Sequence, residues 1–165
     1  MTKPDATMAR IAEGIELRQR GDRDAARRLF WELWTEIGGD HADPFHRCAL
    51  AHSMADVQDD IREELIWDLR AVDAAQLVTD ERAARAGLKS PVASFYPSLH
   101  LNLGECYRKL GDRDQARQHL QAGGAAIDAL PDDGYGRMIR AGLERLAQRL
   151  DDADRAPHSP ERASR

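Results

Sequence analysis

Valine and isoleucine are sparse in this chain, and nowhere do they alternate with polar residues over a strand's length, so a sheet-based fold is excluded. No apolar run approaches the length of a membrane span, and the first residues carry no signal-type apolar region, so no membrane partner is expected. Lysine is nearly missing, with only Lys3, Lys89 and Lys109, and arginine carries the basic charge. Its one richer patch is Arg18, Arg20, Arg23, Arg27 and Arg28, diluted by Glu13, Glu16, Asp22 and Asp24 into a solvated helix surface. With a net charge of −5 and the two signs interleaved, nucleic acid is not expected as a partner. No glycine loop shaped to cradle phosphate and no dinucleotide fingerprint occurs. The two cysteines, Cys48 and Cys106, fall inside helical patterns and form no disulfide framework, which fits a reducing cytoplasm.

What is abundant is Ala, Leu, Arg, Asp and Glu, a helix-forming set, in 165 residues, one domain's length with room for a core. The fold class expected is all-α. One junction occurs twice: "LRQRGDRDAARRLF" at 17–30 and "YRKLGDRDQARQHL" at 107–120 share Gly-Asp-Arg-Asp-x-Ala-Arg at a spacing of 90 positions. Gly21 and Gly111 each follow a helical pattern, where a glycine closes the last turn in the left-handed conformation. Asp22 or Asp24, and Asp112 or Asp114, then cap the following helix. Ala26 and Ala116 permit close approach of two helices, and Phe30 and Leu120 fill the space one turn on. Each junction therefore predicts a helix–tight turn–helix hairpin.

Around the second junction the order is His100-x-x-Leu103-Gly104-x-x-Tyr107, then Ala116-x-x-x-Leu120; around the first it is Gly14-x-x-Leu17, then Ala26-x-x-x-Phe30. At those offsets the chain resembles the tetratricopeptide repeat family. The middle segment fits the same pattern with Ala51, Met54 and Trp67 in register, while Gln58 stands for the junction glycine and Glu63 for the close-packing alanine, which implies a looser crossing. The resemblance implies a right-handed α-superhelix of antiparallel hairpins, about seven helices including a C-terminal capping helix. The repeats span about 7–40, 44–89 (divergent and elongated) and 91–130 within a domain of residues 1–150. The middle repeat's second helix is expected from roughly Asp59 to Leu88, with "TDER" at Thr79 resembling a fresh start. The third repeat's first helix either starts between Pro91 and Pro97 or is kinked by Pro97. The capping helix is placed at about 132–150, with Met138, Leu143, Leu146 and Leu150 as its apolar stripe, and 151–165 is expected to be a disordered tail. Gly123-Gly124 reads as a weak spot or bend.

In that family the first helix of each hairpin lines a concave face that receives ligands. Carried onto this sequence, the resemblance implies a groove of Met8, Ile11, Ile15 and Gln19, then Cys48, His52 and Asp56, then Leu101, Glu105, Arg108 and Lys109, running from apolar to mixed charge. It implies a non-catalytic module that binds another protein or a peptide, with no catalytic residue, cofactor or metal. Asn102 occupies an asparagine position common in the family, but Ile11 and Ile15 exclude the clamp with which one subgroup grips chaperone carboxylates.

Two alternatives remain. One is a homodimer formed through the elongated middle hairpin or the helix bearing Trp31 and Trp34, two residues expected to contact the middle repeat. The other is a small metal-binding or thiol-dependent enzyme using Cys48, His52 and Asp56, which share one helix face at i, i+4 and i+8, with Glu105 of the adjoining helix as a further ligand for zinc. Against it stand the absence of an oxyanion-stabilising loop and the poor tetrahedral geometry of collinear ligands. His41 and His46, in "GDHADPFH", read as part of a capping turn. The doublets Asp59-Asp60 and Glu63-Glu64 read as acidic charge at a helix N-terminus.

Overall fold

The repeated junction folds the same way both times. The structure, a computed structural model, describes residues 4–156, and among them it contains helices and turns but no strand. Helix α1 (Ala6–Gln19) turns into α2 (Arg23–Ile37), and α6 (Tyr96–Leu110) turns into α7 (Arg113–Ala125). Gly21 and Gly111 sit at φ of 90° and 84°. The Asp22 and Asp112 N–H groups reach back to Leu17 and Tyr107 carbonyls at 2.9 Å in both turns, closing the helix that ends there. Asp22 accepts from the Ala25 N–H and Asp112 from the Gln115 N–H, both at 3.1 Å, so the first aspartate of each pair is the cap. Ala26 and Ala116 are fully buried where the two helices of each hairpin meet.

The middle hairpin reaches the same packing by other residues. Helix α3 (Pro44–Ala55) and helix α4 (Ile61–Ala75) pack as closely as α6 and α7. The looser crossing expected from Glu63 is not found, because Glu63 is exposed and Ala51, Ala55, Ala71, Ala74 and Ala75 form the contact instead. The second helix is broken near Thr79, where "TDER" offered a fresh start, and is not one rod to Leu88. It stops at Ala75, and a separate short helix, α5 (Asp80–Arg85), starts with the Thr79 hydroxyl accepting from the Arg82 N–H. That break folds Val78 and Ala83 onto Phe45 and Val92, a small second core beside the main one. Arg82 secures it, with its guanidinium on the Asp43 carboxylate at 2.6 Å and over the Phe45 ring at 4.8 Å. Asp5 and Asp43 flank His46 at 2.7 and 3.6 Å, so that histidine joins the N-terminal ends of α1 and α3. Pro97 lies in the first turn of α6, where it is tolerated without a kink.

Successive hairpins stack in order: α3 packs on both α1 and α2, α6 packs on α4, and helix α8 (Gly134–Arg155) packs on α6 and α7. The described residues thus hold eight α-helices, α5 being the one beyond expectation. Leu143, Leu146 and Leu150 of α8 are buried as expected, but Ile139 takes the place assigned to Met138, which is 57% exposed. Helix α7 runs through the Gly123-Gly124 pair and ends at Ala125. Gly123 is buried where a Cβ would stand 3.0 Å from Leu143 and 3.3 Å from His100, so it is a contact point for α8 and α6. Helix α8 continues five residues past Leu150, so the tail expected from Asp151 begins as helix, and the rest of that expectation, from residue 157, lies outside the described residues.

Between the hairpins lies the main core, centred on Phe30, Leu33, Leu50, Met54 and Leu103, all nearly inaccessible. Trp34 and Trp67 meet edge to face at 4.9 Å, Trp31 leans on Trp67 at 6.0 Å, and Arg70 lies over the Trp67 ring at 4.5 Å. The two tryptophans of α2 therefore contact the middle hairpin. No helix among the described residues is long and apolar enough to cross a membrane.

Candidate functional site: an apolar cleft beside a buried polar cluster

Helices α1, α3 and α6, the first members of the three hairpins, share a cleft of about 210 Å³. Met8 comes from α1, Cys48, Ala49 and His52 from α3, and Ser98 and Leu99 from α6, with Phe45 and Phe95 behind them. Leu88, which follows α5, and Tyr135 of α8 complete the lining as its most exposed members, at 36% and 44%. The break at Thr79 matters here: a continuous helix would carry Leu88 along the axis of α4 and leave this side of the cleft open.

The residues assigned to a groove fall into separate groups. Met8, Cys48 and His52 line the cleft. Ile11 is 2% exposed and Ile15 half-buried, both within the main core, because α2 and α3 cover the face of α1 that the pattern assigned to the groove. Leu101, Glu105 and Arg108 are not open either. Leu101 packs against Gly142 of α8, where a Cβ would stand 2.6 Å from its methyl. Glu105 accepts from Arg108 and from Arg149 of α8, each at 2.9 Å, so the terminal helix lies over the third hairpin's first helix. Gln19 and Lys109 are exposed at the far ends of their helices, outside the cleft. Asp56 pairs with Arg18 at 3.3 Å and ties α3 back to α1.

The Cys48–His52–Asp56 line meets different neighbours along its length. Burial pushes the Cys48 thiol up to about 12, so it stays protonated at neutral pH and is a poor nucleophile. His52 reaches toward α4 and α6. Its Nδ1 lies 4.0 Å from Oδ1 of Asp68 and 3.5 Å from the Asn102 amide nitrogen. Burial lowers the His52 pKa, an effect that Asp56 opposes and Arg18 reinforces.

Asp68 is the residue that sequence reasoning missed. It is wholly inaccessible in the middle of α4, and burial first, then the nearby Glu64 charge, push its carboxyl up to about 8. The Asn102 amide donates to it at 3.5 Å and the Cys106 thiol at 3.6 Å, both long contacts for a buried carboxyl. Ligand atoms of Glu64, Asp68 and Cys106 all lie within 4.8 Å of one another. A signal was present in the sequence: Glu64 and Asp68 at i, i+4 fall on one face of a helix whose neighbouring positions are apolar. Glu64 lies in the first turn of α4, as its reading as acidic charge at a helix N-terminus expects, beside the cap Asp60, which accepts from the Arg62 N–H at 2.7 Å.

Cleft and cluster lie along one seam. Cys48 and Ser98 line the apolar end, and His52 and Asn102, each one turn further along α3 and α6, begin the polar end. Compared with known proteins, the chain matches no family model, no curated protein and no solved structure.

Proposed function

We propose that this chain is a non-catalytic interaction module of the tetratricopeptide kind, its hairpins wound as a short right-handed superhelix, and that it acts by seating an apolar anchor of a peptide or partner helix in the cleft between α1, α3 and α6. The observation that carries this reading is that the first helices of the three hairpins converge on a hollow whose walls are largely carbon, with His52 at one end. An apolar recess with few polar groups is what an anchoring side chain requires. Because the walls belong to packed helices, binding orders little of the protein. A cytoplasmic setting accords with the two unpaired cysteines. The test is affinity capture with the wild type and with Ala49→Glu, which places a charge in the cleft from a half-buried position. Loss of the captured polypeptide in the variant supports the reading; identical capture by both proteins refutes it.

A second reading rests on a different face. Trp31 and Ile66, 56% and 44% exposed, stand together in a shallow hollow of about 640 Å³ between α2 and α4, beside Arg27, Glu32 and Glu63. Exposed aromatic surface ringed by charge is what a homodimer contact offers. Sedimentation across a hundredfold range of concentration decides it: a mass that does not change removes the dimer.

A further inference from the structure

We propose that Glu64, Asp68, Cys106 and His52 form a zinc-binding site that ties α3, α4 and α6 together at the polar end of the seam. The four side chains come from three helices, which removes the collinearity that makes ligands on a single helix poor at enclosing a metal. Their types, one thiol, one imidazole and two carboxylates, are those zinc accepts in four-coordinate sites.

Three of the four donors are already gathered. Four ligands at zinc's usual bond lengths of about 2.0–2.3 Å are roughly 3.3–3.8 Å apart. Here the Cys106 sulfur is 3.6 Å from Asp68 Oδ2, His52 Nδ1 is 4.0 Å from Asp68 Oδ1, and the Glu64, Asp68 and Cys106 atoms all fall within 4.8 Å. His52 stands outside the trio of Glu64, Asp68 and Cys106, against the other Asp68 oxygen, and has to swing toward it to complete the set.

The second observation is the state of Asp68 itself. It is fully buried, and among the described residues the only basic side chain within 4.0 Å is His52. Its remaining contacts are neutral donors at 3.5 and 3.6 Å. A buried carboxyl is charged only where a cation is paired with it, and no arginine of this arginine-rich chain forms an ion pair with this one. On coordination the Asp68 carboxyl and the Cys106 thiol would each release a proton to solvent, and a dication held by Glu64, Asp68, the thiolate and neutral His52 would leave one net negative charge. A third of the His52 side chain is exposed, and Glu64 is half-buried, which leaves a path from solvent for the ion.

The test is titration of chelator-stripped, full-length protein with Co²⁺, followed by absorbance. Binding at one ion per chain should bring both the near-ultraviolet band of a cobalt–thiolate bond and visible bands of a four-coordinate ion, and Zn²⁺ should then bleach them. Cys106→Ser should abolish the thiolate band, whereas Cys48→Ser should keep it. Glu64→Gln, at a partly exposed position that leaves folding intact, should weaken binding by about tenfold or more, the scale reached even by residues that only support a ligand. Absence of stoichiometric cobalt absorbance in the wild type overturns the proposal. So does a thiolate band that survives in Cys106→Ser, or unchanged affinity in Glu64→Gln.

Discussion

Replacing Gly14 by alanine should weaken this protein although it improves the helix. Gly14 lies inside α1, and a Cβ there would stand 2.2, 2.7 and 2.9 Å from three atoms of the Phe30 ring, which is itself fully buried. Removing a glycine from a helix interior gains about 0.8–1 kcal/mol. Forcing a methyl into a packed core costs about 1–3 kcal/mol, towards the upper end where the obstacle is a rigid ring with no free volume behind it. The net expectation is a loss of about 1–2 kcal/mol, or roughly 2–6 °C in Tm for a domain of this size. Two further variants isolate the cause. Gly124→Ala in α7 meets nothing within 4 Å, so it should gain about 0.5–1 kcal/mol from the helix preference alone. Gly14→Ala combined with Phe30→Leu should cost less than the sum of the single changes by about 1 kcal/mol, because the smaller side chain makes room for the methyl. Urea unfolding followed by circular dichroism reads all five proteins, Phe30→Leu alone and the wild type included. If Gly14→Ala is as stabilising as Gly124→Ala, or if the double variant is additive, α1 and α2 are not packed as described.

Three other outcomes follow from the same geometry. Asp22→Ala and Asp112→Ala should each destabilise by about 1 kcal/mol in urea unfolding, and the two losses should add, since the turns share no neighbours. His100 and His119 face each other with their Nδ1 atoms 3.0 Å apart, stacked between Tyr96 and Tyr107, and burial lowers both pKa values. The unfolded chain therefore binds more protons below pH 6.5, and the pair's stabilising effect, complete above that value, fades as pH falls through the lowered folded values. The stability difference between wild type and His119→Asn should accordingly shrink between pH 7.5 and pH 5, and a difference independent of pH would contradict the placement. Thr79→Ala should loosen α5 and raise hydrogen exchange from Val78 to Leu88, leaving α1 and α2 unchanged.

The parts of the fold legible in advance were those set by local chemistry. The glycine–aspartate turns follow from one backbone conformation and one cap, so seven residues specify each of them. The start of α5 at Thr79 was visible as a capping signature, but that α4 ends at Ala75 was not, since nothing in "AAQLV" forbids helix and the break is set by Val78 and Ala83 finding Phe45 and Val92. The site was harder to read for the same reason. Periodicity assigns a face to a helix but does not say which neighbour covers it, so Ile11 went to the groove when α2 and α3 bury it, and Glu105 when α8 engages it. Asp68 was hidden because its surroundings come from α3 and α6, 16 and 34 or more positions away.

The central claim, that the hairpins leave an apolar hollow among α1, α3 and α6 for a partner, is tested most directly by methyl NMR of the protein titrated with the polypeptide it captures. The account predicts shifts at Met8, Leu88 and Leu99, saturating together, while Ile66 stays in place. Shifts confined to Ile66 and its neighbours, with Met8 and Leu99 unmoved, would contradict it.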